Sequence, residues 1–217
     1  MIAKMKGIDI ELVMPENSTR ERVLSMRAFG AKVTLTSAET SMEGAIDYAR
    51  EQVEKGDCIM LNQFGNEDNP EAHYQTTGPE VWNDTNGQVT HFVSAMGTTG
   101  TIMGTSRFLK EKNSDIQIVG VRPGDGARIP GIRRWPKEYL PTIFDESRLD
   151  YTLDVTQEAA EQTTRDLAQK EGIFCGISSG GAMNAAIRVC ESIESGVVVT
   201  IVCDRGDKYL STDVFEK

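Results

Sequence analysis

The sequence predicts an α/β fold in which parallel β-sheets are flanked by helices, and three observations carry that expectation. Short apolar or alternating runs, stopped by Gly or Pro, are followed by longer stretches whose apolar residues fall at helical spacing. These two kinds of segment alternate along the chain, which is the rhythm of strand–helix–strand units. The run Val197–Cys203 is almost unbroken in β-branched residues, as expected for a strand covered by helices on both faces.

Taken in order, Met1-Ile2-Ala3-Lys4-Met5-Lys6 reads as the last turns of a helix, basic near its end and stopped by Gly7. Ile8–Met14 alternates apolar and acidic residues as a strand does, and Pro15 ends it. Ser18-Thr19-Arg20-Glu21 has capping-box spacing and opens a helix to Phe29, with Gly30 as its stop. Val33–Thr36 is a second strand, and Thr40 to Glu43 repeats the capping-box signal ahead of Met42, Ala45, Ile46, Ala49 and Val53 on one helical face. From Asn62 to Asn86 the rhythm breaks in a stretch rich in Asn, Asp, Pro, Thr and Gly, which places a domain change near residue 66 and divides the chain into 1–66 and 67–217. Strands resume at His91–Met96, Ile116–Val121 and Val197–Cys203, with helices at Thr101–Lys112, Gln157–Glu171 and Gly181–Ile193. Arg122–Ile143, with four prolines, three glycines and four arginines, reads as a long irregular loop of the kind that carries function or moves.

Lys and Arg total 23 against 33 for Asp and Glu, and the net charge of −10 argues against a nucleic-acid or anionic-membrane surface and for a small-molecule partner. No apolar run is long enough to span a bilayer. Cys58, Cys175, Cys190 and Cys203 are widely spaced, and His73 and His91 are the only histidines beside them. A structural zinc site is therefore disfavoured, and reduced thiols in a cytoplasmic protein are expected.

The strongest local signal is Gly97-Thr98-Thr99-Gly100-Thr101, directly after an apolar strand and directly before a helix. Glycines let backbone N–H groups converge, and the helix adds its positive end, so the turn suits a phosphate held with little help from cations. It matches neither the Walker loop nor G-x-G-x-x-G, and an ordinary strand-to-helix turn is the competing reading. A second turn, Cys175-Gly176-Ile177-Ser178-Ser179-Gly180-Gly181, also opens a helix. It offers either a hydroxyl to a heteroatom of a bound ring or a plain serine cap.

These turns, together with Met14-Pro15, Arg27 to Ala31, Gln63-Phe64, Asn69-Pro70, His73 to Trp82 and Cys203 to Gly206, resemble the cysteine synthases over essentially the whole chain. Those are fold-type II pyridoxal-phosphate (PLP) enzymes of tryptophan synthase β-like architecture. Pro130 to Pro136 and Asp204 to Ser211 resemble the B-type branch. The resemblance implies PLP as cofactor, with its phosphate on Gly97, Thr98, Thr99, Gly100 and Thr101. It places Ser178, or failing that Ser179, at the pyridine nitrogen. A neutral hydroxyl there does not force the ring nitrogen to stay protonated, which suits β-replacement more than transamination. The resemblance puts Gln63 near the substrate carboxylate, with an exposed loop amide as the alternative. It sets Arg133 and Arg134 against an anionic sulfur donor, with solvated surface charge as the alternative. Cys203 and Asp204 close the last strand at the edge where open α/β sheets collect ligands, although Cys203 also reads as a core thiol. The implied reaction replaces the acetyl group of O-acetylserine by sulfide or thiosulfate. The implied domains are a smaller substrate-binding part, 1–66, and a larger PLP-binding part, 67–217, in a homodimer.

Two family features are missing from the sequence: the cofactor lysine in its Ser-x-Lys-x-Arg context and the Thr-Ser-Gly-Asn-Thr-Gly loop. The family reading therefore expects a chain incomplete at its N-terminus, with no catalytic lysine of its own, inactive or nearly so alone and poorly soluble unless paired. A β-eliminating or dehydrating relative acting on another amino acid is one alternative, and a non-catalytic PLP-binding or partner module is another.

Overall fold

Two separate parallel sheets form, one in each of the units into which the chain divides: Met1–Leu61 together with Asp207–Lys217, and Asn62–Gly206. The computed structural model describes residues 1–56 and 58–216. The sequence alone sets the division near residue 66 and gives no sign that 207–217 fold with the first sixty residues.

In the first unit a short helix α1 (Ile2–Met5) stops at Gly7, whose φ of +68° only glycine adopts freely. Strands β1 (Glu11–Pro15) and β2 (Lys32–Thr36) pair in parallel, Glu11 opposite Lys32 through to Pro15 opposite Thr36. Helices α2 (Arg20–Ala28) and α3 (Ser41–Glu54) complete the unit, α3 burying Ala45 and Ile46 as its spacing predicts. Neither capping box forms. Helix α2 takes Thr19 as its N-cap, which leaves Ser18 one residue out of register, and Glu21 instead accepts from the Ser211 hydroxyl at 2.7 Å. Thr40 caps α3 with helical rather than extended angles, so its hydroxyl turns back and donates to the Ser37 carbonyl at 3.1 Å. Tyr209 is fully buried; the Arg22 guanidinium donates to its hydroxyl and lies 4.9 Å from its ring centre.

The second unit holds a four-stranded parallel sheet in the order β5–β4–β3–β6, made of β3 (His91–Ala95), β4 (Gln117–Pro123), β5 (Tyr151–Val155) and β6 (Val198–Thr200). Around it run α4 (Asp68–Gln75), α5 (Thr77–Asp84), α6 (Gly100–Lys112), α7 (Gln157–Glu171) and α8 (Ile177–Ser192). Phe92 and Ile118 of the sheet pack with Ile102 and Leu109 of α6 and Val81 of α5 in one core.

Four departures from the sequence reading matter. The supposed break at 62–86 contains two helices; Pro70 and Pro79 each occupy the third position of one, where a helix has no use for their missing N–H. Strand β5 was not foreseen. Strand β6 is three residues long and lies at the sheet edge, half-buried, with Val202 49 % exposed, so the expected covering on both faces is absent. Helix α8 begins four residues early, which puts Ser178 and Ser179 in its first turn. Among the described residues no helix is long and apolar enough to cross a membrane, and no cluster of His, Cys, Asp and Glu could hold a metal ion.

Candidate active site

Strand β3 delivers the chain to the glycine- and threonine-rich turn, and α6 starts from it at Gly100. Thr99, the N-cap of α6, sits at φ +73°. A β-branched residue there is strained, at a cost of order 1–3 kcal/mol. Its hydroxyl is buried, finds no hydrogen-bond partner, and does not cap the helix. A helix start without a side-chain cap, next to an orphaned buried hydroxyl, leaves donors that could meet acceptor atoms from elsewhere.

Helix α4 presses on this turn from behind. A Cβ on Gly100 would fall 1.8 Å from Asn69 Oδ1, and one on Gly104 would fall 2.0 Å from the Pro70 carbonyl, so only glycine allows the approach. Asn69 Nδ2 donates to the Gln63 carbonyl at 2.7 Å and to Thr98 Oγ1 at 3.1 Å. One turn on, the His73 ring joins Thr77 Oγ1 (Nδ1, 2.8 Å) to Thr101 Oγ1 (Nε2, 3.2 Å). Burial pushes the His73 imidazole down, which keeps it neutral at physiological pH.

The second turn is held by the strand end beside it. The Cys203 amide donates to Ser179 Oγ at 2.9 Å and the Gly176 amide to the Asp204 carbonyl at 3.0 Å, while Cys175 and Arg205 form an antiparallel bridge. Ser179 thus has its oxygen engaged in structure. Ser178, also buried, faces Gly131: a Cβ there would come within 3.0 Å of Ser178 Oγ, and φ is +90°. The same residue's carbonyl lies 3.0 Å from where a Gly97 Cβ would be. The backbone of one glycine therefore touches both turns, and the two are brought to one place. Around them, Trp135 donates its indole N–H to the Gly97 carbonyl at 2.7 Å and meets Phe64 edge-on at 5.2 Å, and the Arg133 amide donates to Met96 at 2.8 Å.

The other sequence-predicted residues fare unequally. Gln63 is exposed, tied to the turn through its backbone carbonyl. The Arg133 guanidinium lies 5.4 Å from the Trp135 ring centre. The Arg134 fork is already engaged, donating to the Pro123 carbonyl at 2.9 and 3.1 Å and pairing with Asp154 at 2.7 Å, so it is not a free anion receptor. Although Cys203 is exposed, desolvation pushes its thiol up, the Asp204 carboxylate adds to this and the Ser178 hydroxyl opposes it. Such a thiol stays protonated and makes a poor nucleophile. In the sequence, Asn69, Gly131 and Trp135 carry the resemblance with no role attached, and His73 reads as structural rather than catalytic. The i, i+4 spacing of Asn69 and His73 was a usable signal, hidden because their stretch read as loop.

Two threonine hydroxyls, an orphaned third and the start of a thirteen-residue helix could hold a phosphate ester without a cation, and buried Ser178 could meet a ring nitrogen. Pyridoxal phosphate fits that donor set. The model of the pyridoxal-phosphate dependent enzyme family matches residues 1–204. The chain is 56 % identical over 216 residues to cysteine synthase B of Pseudomonas aeruginosa, covering 100 % of itself and 72 % of that protein. With cysteine synthase B of Escherichia coli K12 it shares 56 % over 215 residues, covering 99 % and 71 %. Among solved structures, the cysteine synthase of Entamoeba histolytica superposes with a TM-score of 0.88 at 34 % identity, over 99 % of this chain and 67 % of that one. The chain therefore belongs to the pyridoxal-phosphate dependent enzymes, as a fold-type II member of the B-type cysteine synthase branch.

Proposed function

We propose that the 62–206 unit holds pyridoxal phosphate, its phosphate on Gly97–Thr101 and its ring nitrogen at Ser178, and that the chain serves the conversion of O-acetylserine to cysteine or S-sulfocysteine. The observation that carries this reading is the buried, partnerless Thr99 hydroxyl at the uncapped start of α6, in the turn whose Gly97 meets the same glycine, Gly131, that Ser178 faces. When bound, the cofactor supplies an electron sink, so that the β-substituent of an amino acid leaves and a sulfur nucleophile takes its place. The residues of the chain do the holding. Thr98, Thr99 and Thr101 direct hydroxyls and backbone amides at the phosphate, and Ser178 meets the ring with a neutral donor while Ser179 stays with the Cys203 amide. Gln63 is assigned to the substrate carboxylate. Arg133, whose guanidinium lies 5.4 Å from the Trp135 ring centre, is assigned to the incoming sulfide or thiosulfate. The proposed working form is a homodimer.

The chain has no Ser-x-Lys-x-Arg context, so this polypeptide has no anchored amine to return as general base. Purified and supplied with PLP, O-acetylserine and sulfide, it is expected to form cysteine slowly or not at all, and robust turnover overturns that expectation. The same feature favours a second reading, a module that holds the cofactor without covalent attachment or serves a partner. Borohydride reduction and mass spectrometry separate the two, since a reduced PLP adduct at a single lysine excludes the module.

A further inference from the structure

We infer that Asn69 and His73, one turn apart on α4, are positioning residues that fill the acceptor side of Thr98 and Thr101, so that both hydroxyl hydrogens point at the bound phosphate. The inference rests on the phosphate-cradle reading above and adds how the cradle is given its polarity.

A threonine hydroxyl has one hydrogen and two lone pairs, and a phosphate dianion accepts only. The hydroxyl therefore helps only when its neighbours donate to it and leave its hydrogen unclaimed. At Thr98 this is settled by geometry. Its oxygen lies 3.1 Å from Asn69 Nδ2 and 3.4 Å from the Gly100 amide, both donors. The Asn69 amide cannot be reversed, because the same nitrogen is 2.7 Å from the Gln63 carbonyl, which only accepts. At Thr101 the partner is His73 Nε2, which donates in one neutral tautomer and accepts in the other. In the accepting form the imidazole would claim the Thr101 hydrogen and turn oxygen lone pairs toward the anion. The Nε2–H form repeats the arrangement at Thr98, and it asks Thr77 to donate its hydroxyl to Nδ1, 2.8 Å away. The relay runs from Thr77 through His73 to Thr101 and ends on the phosphate.

The test uses the whole chain and 4-deoxypyridoxine 5′-phosphate, which has the ring and phosphate of the cofactor but no aldehyde, so no lysine chemistry intervenes. Ring-nitrogen NMR of the wild-type complex is expected to show His73 as the Nε2–H tautomer. Thr77→Val, which leaves Nδ1 without its donor, should mix the tautomers and weaken binding about threefold to tenfold, as for loss of one ordinary neutral hydrogen bond. His73→Gln, whose amide can still donate to Thr101, should stay within about threefold of wild type, whereas His73→Leu should lose about tenfold. Should His73→Leu fail to fold, Thr77→Val decides. An Nδ1–H ring in the complex, or a Thr77→Val chain with unchanged tautomer and affinity, overturns the relay and leaves the cradle standing. No binding by the wild-type chain, or binding that leaves the Thr98, Thr101 and His73 signals unmoved, overturns the cradle and the relay together.

Discussion

Thr99 holds its backbone where a β-branched side chain is least at ease and hides an oxygen with nothing to bond. Both features weigh against the ligand-free fold. Thr99→Gly is therefore expected to raise unfolding stability by about 1 kcal/mol in urea titrations, while weakening binding of the cofactor phosphate. His73 also weighs against the fold, but only as the pH falls. Burial holds its folded pKa below the ordinary 6.5, so the unfolded chain takes up the proton first, and stability present above about pH 6.5 declines as the pH drops toward the folded value. The fall in stability between pH 7 and pH 5.5 should be shallower in His73→Gln, and an equal slope in both chains would show that His73 does not carry it. Gly97–Thr101 was readable as a candidate phosphate turn because its composition and its place between a strand and a helix are local features. Gly131 and Trp135 were not readable as site residues. A glycine that fits between two turns distant in sequence has no local pattern.

At the scale of elements, strands and helices whose apolar spacing is regular were legible: α7 begins and ends where its pattern does. Helices α4 and α5 were lost because their cap residues, first-turn prolines and glycine give them the composition of a loop. Strand β6 was overestimated because β-branched residues favour a strand but do not supply a neighbour to pair with. Close helix contact was equally invisible, and it is the strictest constraint in the second unit. A methyl group at Gly180 would stand 2.0 Å from Thr164 Oγ1 and 2.4 Å from the Ala160 carbonyl, both on α7. Gly180→Ala should thus force α7 and α8 apart and cost about 2–3 kcal/mol, measured by urea unfolding and by faster amide exchange along α7. Ser178, two residues before Gly180 in the first turn of α8, would move with that helix.

For the whole molecule, the net charge argued against nucleic acid and for a small ligand, and the alternation of elements predicted parallel sheets flanked by helices. The return of 207–217 to the first unit could not be foreseen, since no periodicity links Tyr209 to Arg22 across the length of the chain. Tyr209 is nevertheless the largest of the fully buried side chains. Tyr209→Ala should cost about 3–5 kcal/mol and raise hydrogen exchange in β1 and β2, and unchanged protection there would show that the segment is dispensable to the unit. A unit assembled from two stretches far apart in sequence also has a history in time. Residues 1–61 leave the ribosome ahead of the intervening stretch and must wait while it is translated, roughly ten to thirty seconds at ordinary elongation rates, before Tyr209 arrives. During that interval the first unit lacks the 207–217 segment and the buried Tyr209 that it carries.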